Sequence, residues 1–324
     1  MPTVTIDVSD MIGVFPAATF FVATDDGIKA IALLNHATKY TIPTTGAVQV
    51  ATVAAQPLTP GAGWVYVADE ISDGTRLRWI DAASGAVLAS WAEPSRRLVA
   101  TGIGHGALAV EPTTGRVLAL YADGERRVVE AYDPYSLRPL GKRFETSCGD
   151  RLLAGASRVV VPCFAAGEIL ISDNGGKAAT VHLGVGAVVA AAIRSDGTTL
   201  VGRDDGTLER VTAGTFATER IEPFRPARLA PDGIASVDAQ GFAIALLTTD
   251  IALGISELRS SSLRYISFPA GDRIKEIPVG GLLAQGQFAF WSNGREARHI
   301  DLLQGFAETM ATLSGKTLPG GVGY

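Results

Sequence analysis

Residues 63–93, GWVYVADEISDGTRLRWIDAASGAVLASWAE, decide the fold. Three apolar runs, 64–69 (WVYVAD), 76–81 (RLRWID) and 86–91 (AVLASW), are separated by Asp73-Gly74 and Ala83-Ser84-Gly85. Runs this short, rich in β-branched and aromatic residues and bounded by turn formers, read as consecutive antiparallel strands. The same order of strand, Asp-Gly turn, strand, turn, strand returns in 116–144 (RVLALYADGERRVVEAYDPYSLRPLGKRF), 195–220 (SDGTTLVGRDDGTLERVTAGTFATER) and 20–42 (FFVATDDGIKAIALLNHATKYTI).

Aligning these units isolates one recurring strand, the second of each. It starts near Phe20, Trp64, Arg116, Arg158, Thr198, Ile234 and Gln287. The spacing, about 36 to 53 residues, is that of a four-stranded propeller blade. Seven such strands predict an all-β, seven-bladed β-propeller of four-stranded antiparallel blades. One domain is expected over 1–313, followed by a Gly-rich tail, 314–324, with no strand pattern and the character of a loose chain end. Residues 248–278 fit the repeat worst and are expected to hold an inserted segment or an outer strand. Closure of the ring is assigned to 3–8 (TVTIDV), which alternates as a strand and would pair with the last blade.

Tyr66-Val67-Ala68-Asp69 and Trp79-Ile80-Asp81-Ala82-Ala83-Ser84-Gly85-Ala86-Val87 resemble the blade of YVTN-type propellers, of the quinoprotein amine dehydrogenase-like seven-bladed group. The Ser195-Asp196-Gly197 and Pro231-Asp232-Gly233 turns resemble the strand connections of the same group. The likeness is strong in about three blades. It implies the fold and no particular activity, because the group holds enzymes, inactive relatives and binding proteins.

Composition narrows the function classes. Net charge is −5 and the pI about 5.5, which argues against a nucleic-acid surface. No apolar run reaches the ~18 residues of a membrane-spanning helix. Charged residues are 19%, low for a disordered chain.

Strands in a blade alternate in direction. The turns between second and third strands therefore emerge on one face, with the connections between blades. This places Asp25, Asp26, Asp69, Glu70, Asp73, Asp123, Glu125, Asp204 and Asp205 on one polar rim. Arg96, Arg97 and Arg225 join them from the inter-blade connections. Such a rim suits a protein partner, and the central channel a small ligand. Asp-Gly is equally the preferred chemistry of a tight hairpin turn, which would account for Asp26, Asp123 and Asp205 without a ligand. Solvated surface side chains would account for Arg96 and Arg97.

Catalytic and metal motifs fail. His36, His105, His182 and His299 lie in separate blades without HExxH spacing, and residues 69–80 lack the oxygens of a calcium loop. No metal and no cofactor are expected; a pyrroloquinoline site lacks an adjacent Cys pair. Gly315-Lys316-Thr317 lacks the first glycine of a phosphate loop, since position 310 is Met310.

The two cysteines are read through register. With 152–154 and 158–161 as the first two strands of blade four and a tight turn at Gly155-Ala156, Leu153 faces Arg158, Asp150 faces Val161 and Cys148 faces Cys163. Opposed Cα atoms lie about 4.5–5.5 Å apart, within disulfide reach. A disulfide implies an oxidising compartment, and a chain opening Met1-Pro2-Thr3 without a signal peptide would then be a mature or trimmed form. The expectation is an extracytoplasmic binding or scaffold propeller. Its rival is a lactonase-like or quinoprotein-like enzyme with its site at the axial mouth, where His105 and Arg225 would be candidates.

Overall fold

The computed structural model describes residues 19–323, except 34, 53–63, 102–103, 174–175, 177, 185, 223–227, 238–240, 248–252, 260–261, 267–280, 286–287, 305–306 and 314–317. These form seven antiparallel sheets, the blades of a propeller. The second strands are Thr19–Thr24, Trp64–Ile71, Val117–Asp123, Arg158–Cys163, Thr199–Arg203, Gly241–Leu247 and Phe288–Ser292. Six begin within one residue of the position read from the repeat.

Blade six departs from that reading. Ile234 belongs to the inner strand, Arg228–Ser236, and not to the second. The Pro231-Asp232-Gly233 sequence that reads as a turn is a bulge inside this strand. Its register steps from Leu229↔Leu246 to Ile234↔Ile244. Leu253–Arg259 and Ser262–Ile266 are then the ordinary third and fourth strands, so of the two expectations for 248–278 the outer strand is the one found, at Ser262–Ile266. Blade three also departs, with an inner strand split into Arg97–Leu98 and Leu108–Val110.

The ring closes through the tail. Leu318–Gly323 pairs antiparallel with Thr19–Thr24, from Thr19↔Gly323 to Ala23↔Leu318, and becomes the inner strand of blade one. The tail is therefore a strand and not a loose end. Glycines lower strand propensity, which hid it in the sequence. Residues 3–8 lie outside the described residues.

The core is divided among the seams between blades. Phe20, Val22 and Ile31 pack with Phe290, Ala297 and Met310 of blade seven. Their neighbours Phe21, Ile28 and Ala30 turn the other way, onto Val50, Val65 and Val67 of blade two. Successive residues of a strand point to opposite faces, and here both faces are covered. Thr19–Thr24 is consequently buried at every position. Blade three repeats this, with Val117, Ala119 and Tyr121 toward blade two and Leu118 and Leu120 toward blade four. Outer strands such as Val87–Pro94 alternate between half-buried and exposed.

Cys148 and Cys163 form a disulfide with a Cα–Cα distance of 5.6 Å. The register differs from the sequence reading: Leu153 pairs Val160 and Gly155 pairs Arg158, around a turn at Ala156-Ser157. In that register Cys163 would face Asp150. The ladder ends at Leu153, however, and the Asp150 N–H bonds the Pro162 carbonyl at 2.9 Å. The Asp150 carboxylate accepts from the Phe164 N–H at 2.7 Å. This irregular approach, not a straight hairpin, brings Cys148 to Cys163.

Two measurements test this architecture. Deleting residues 318–324 should lower the unfolding midpoint by roughly 10 °C or more and in one cooperative step, since blade one loses its inner strand. An unchanged midpoint would place closure elsewhere. Replacing both cysteines with serine should cost about 3 kcal/mol in denaturant unfolding, the value expected for a ~15-residue loop.

Candidate functional site

The turns between second and third strands and the inter-blade connections share one face, termed the mouth face. Between blades one, two and three it contains a cavity of about 420 Å³, within the size range of small-ligand pockets. Asp25, Gln49, Asp69, Glu70, Thr75 and Thr101 supply its main polar lining, and Val48, Leu98 and Val99 its apolar wall. Gln49 is buried and joins two blades: its Nε2 donates to Thr101 Oγ1 at 3.0 Å, and its Oε1 accepts from the Ala107 N–H at 2.9 Å. Thr101 in turn donates to the His105 carbonyl at 3.0 Å. These contacts hold the segment between the two halves of the blade-three inner strand.

Asp69 is fully buried within its strand and is not a rim side chain. Arg76 binds both its oxygens, at 3.1 Å and 2.5 Å, and Arg78 Nη2 lies 3.4 Å away. The Thr45 N–H donates a further bond at 3.0 Å. Cross-strand pairing explains the grouping, because Asp69 stands opposite Arg76. The bond to Asp69 raises the pKa of Arg76, whereas burial lowers that of Arg78. Glu70 accepts from the Ala47 N–H at 3.4 Å and pairs with Arg97 at 3.3 Å. Gly46, at φ +60°, lies so close that a Cβ there would stand 2.8 Å from the Glu70 side chain.

Arg96 is exposed, as a solvated side chain would be, but it is also paired. It binds Glu130 at 2.6 Å and lies over the Tyr121 ring, 5.8 Å from its centroid. Asp25, Asp26, Asp73, Asp123, Glu125 and Asp205 are exposed at turn tips, and Asp204 is half-buried. Asp205 also shapes its turn, accepting from the Thr207 N–H at 2.9 Å, and this bond holds its pKa down. The structure thus gathers Asp25, Asp69 and Glu70 at one cavity. Asp123, Glu125, Asp204 and Asp205 stay on the tips of blades three and five. Arg225 lies outside the described residues.

Near the inner strands lies an ion pair that the sequence did not suggest. Arg151 Nη2 lies 2.6 Å from Asp232 Oδ2. These residues belong to blades four and six, so the pair bridges the inner side of blade five, which lies between them. Asp232 sits in the bulge at φ +51°, and desolvation raises its pKa.

Two histidines placed in separate blades by the sequence meet across the seam of blades one and seven. His36 and His299 stand beside Glu308, their ligand atoms all within 4.8 Å of one another. Sequence spacing is blind to this group because its members come from opposite ends of the chain. Burial, then the neighbouring His36, lowers the pKa of His299 to about 4. His105 and His182 lie apart from the group; His182 pairs on the surface with Glu168 at 2.9 Å.

No protein-family model and no curated relative matches the sequence. Solved structures match the fold. A streptogramin B lyase superposes with a TM-score of 0.57 at 12% identity, over 90% of this chain and 87% of that one. An inactive virginiamycin B lyase from Staphylococcus aureus, solved with quinupristin, gives 0.55 at 14%, over 85% and 92%. A periplasmic gluconolactonase from Pseudomonas aeruginosa gives 0.58 at 12%, over 94% and 98%. The chain is a seven-bladed β-propeller, and at this identity the likeness concerns the fold.

Asp69 and Asp123 should separate sharply in stability. Asp69→Asn leaves two arginines without their counter-charge and should cost about 3 kcal/mol. Asp123→Asn, at an exposed tip, should stay within about 0.5 kcal/mol. Urea unfolding of the two variants checks the difference; equal costs would remove Asp69 from its structural role.

Proposed function

We propose that this propeller is an extracytoplasmic binding protein that presents the mouth face of blades one to three to a protein partner with a basic surface. One observation carries the reading. The carboxylates inside the mouth, Asp69 and Glu70, are matched by Arg76, Arg78 and Arg97, while Asp26, Asp73, Asp123 and Glu125 stand exposed on the surrounding turn tips. A concave polar surface with an acidic edge favours basic partners and speeds their association at low salt. The Cys148–Cys163 bond supports an oxidising compartment.

A second reading has its own support. The structural neighbours include a lactonase and lyases, and the cavity is large enough for a small substrate. In that reading the chain is an enzyme of lactonase-like or quinoprotein-like kind with its site at the same mouth. Gln49, Thr75 and Thr101 would contact the substrate.

One pair of assays distinguishes them. Capture from the host cell-envelope fraction should recover a partner with the parent chain. Recovery should fall roughly tenfold with the triple variant Asp26→Asn, Asp73→Asn, Asp123→Asn, and also with added salt. Undiminished capture by the triple variant would reject the acidic edge as the interface. Turnover of glucono-δ-lactone above its spontaneous rate, abolished by Thr75→Val, would replace the binding reading with the enzymatic one.

A further inference from the structure

We propose that His36, His299 and Glu308 form a zinc-class metal site that clips the first blade of the ring to the last. His36 comes from the turn between the third and fourth strands of blade one. His299 lies on the third strand of blade seven and Glu308 on its fourth. The site opens on the face opposite the mouth and is separate from the cavity described above.

The distances point to a shared ion. Glu308 Oε2 lies 3.7 Å from His36 Nε2 and 3.6 Å from His299 Nε2. Both are too long for a hydrogen bond. Two ligands on one tetrahedral ion with bonds of about 2.1 Å stand roughly 3.4 Å apart, close to what is seen. The imidazole rings meet edge to face with centroids 5.5 Å apart, so both nitrogens approach the carboxylate without the rings stacking on each other.

Backbone conformation gives a second, independent observation. His36 has φ +57°, an uncommon conformation for residues other than glycine, adopted most often by asparagine, aspartate and histidine. The turn is a repeated one. Ala32 N–H bonds the Ala37 carbonyl and His36 N–H the Ala32 carbonyl, as Asp81, Ala86 and Gly85 do in blade two. Blade three follows the same pattern with Asp133, Arg138 and Leu137. At the left-handed position blade two has Gly85, and blade three has Leu137, which is fully buried in a seam. His36 leaves 28% of its side chain exposed and gains no comparable burial. Coordination would account for a histidine there.

The surroundings of His299 agree. His299 is 7% exposed, its ring stacks on Phe288 at 5.7 Å, and its buried Nδ1 has no hydrogen-bond partner among the described residues. Two imidazoles and one carboxylate select a borderline transition ion over magnesium or calcium. Three protein ligands leave one position for water.

The test uses the full, tag-free chain, stripped with chelator and titrated with zinc sulfate alone. Each chain should take up one Zn²⁺, and the unfolding midpoint should rise with zinc. His36→Asn keeps the left-handed turn, and Glu308→Gln keeps shape. Each should weaken zinc binding roughly tenfold or more and remove the shift in midpoint. His182→Asn, which breaks a surface His–Glu pair, should change neither. Failure to bind one equivalent, or His36→Asn and Glu308→Gln variants that bind within about twofold of the parent, would overturn the site. His299 stays intact in these variants, since removing a buried ring perturbs folding by itself.

Discussion

The seam between neighbouring blades is the contact on which the molecule depends. No sheet has a core of its own; each buries both faces against the sheets beside it, as Phe20 and Phe21 show by pointing from adjacent positions into different seams. Stability is therefore shared round a circle, and an opening at one place would uncover apolar surface on two blades. The join of the first and last blades is where the chain must supply this contact between its own distant ends. Pairing of Leu318–Gly323 with Thr19–Thr24 does so by building blade one from both ends of the described chain.

Charge is arranged around this apolar ring in two ways. Some ion pairs tie strands and blades together: Asp69 with Arg76, Arg96 with Glu130, Arg151 with Asp232. Removing the arginine from Asp69 or Glu130 leaves a buried carboxylate uncompensated, so these residues act as structural fasteners. On the turn tips the carboxylates are solvated and contribute little to the fold. A mouth built this way keeps its shape through the inner pairs and leaves the outer charges free of structural work.

Most of the architecture was legible because a blade has a strict local grammar. Apolar runs, Asp-Gly turns and a period of about 40 residues located six of seven second strands. Blade six escaped because Pro231-Asp232-Gly233 has turn chemistry but sits in a bulge, which local preference cannot tell from a hairpin. The closing strand escaped because PGGVG has neither alternation nor β-branched density, and its pairing is decided by the ring. At the site, sequence reasoning placed turn tips well and strand residues badly. Asp69 lies two residues inside its strand end, and that shift turns a rim carboxylate into a buried one. His36, His299 and Glu308 were out of reach, since only closure of the ring makes them neighbours. The disulfide was anticipated through a register two residues off, rescued by the irregular path of the chain at Asp150.

The pairing of Thr19 with Gly323 also fixes an orientation. Blade one's second strand starts, and its inner strand finishes, on the same side of the disc, the side away from the cavity. A solid support joined at Thr19 or Gly323 themselves would hold the disc by its back. The mouth then looks outward, and a tethered copy offers it to solvent much as a free copy does. Joining the two points with a short peptide and reopening the chain at an exposed tip such as Gly124 would reverse the mounting and turn the mouth toward the support.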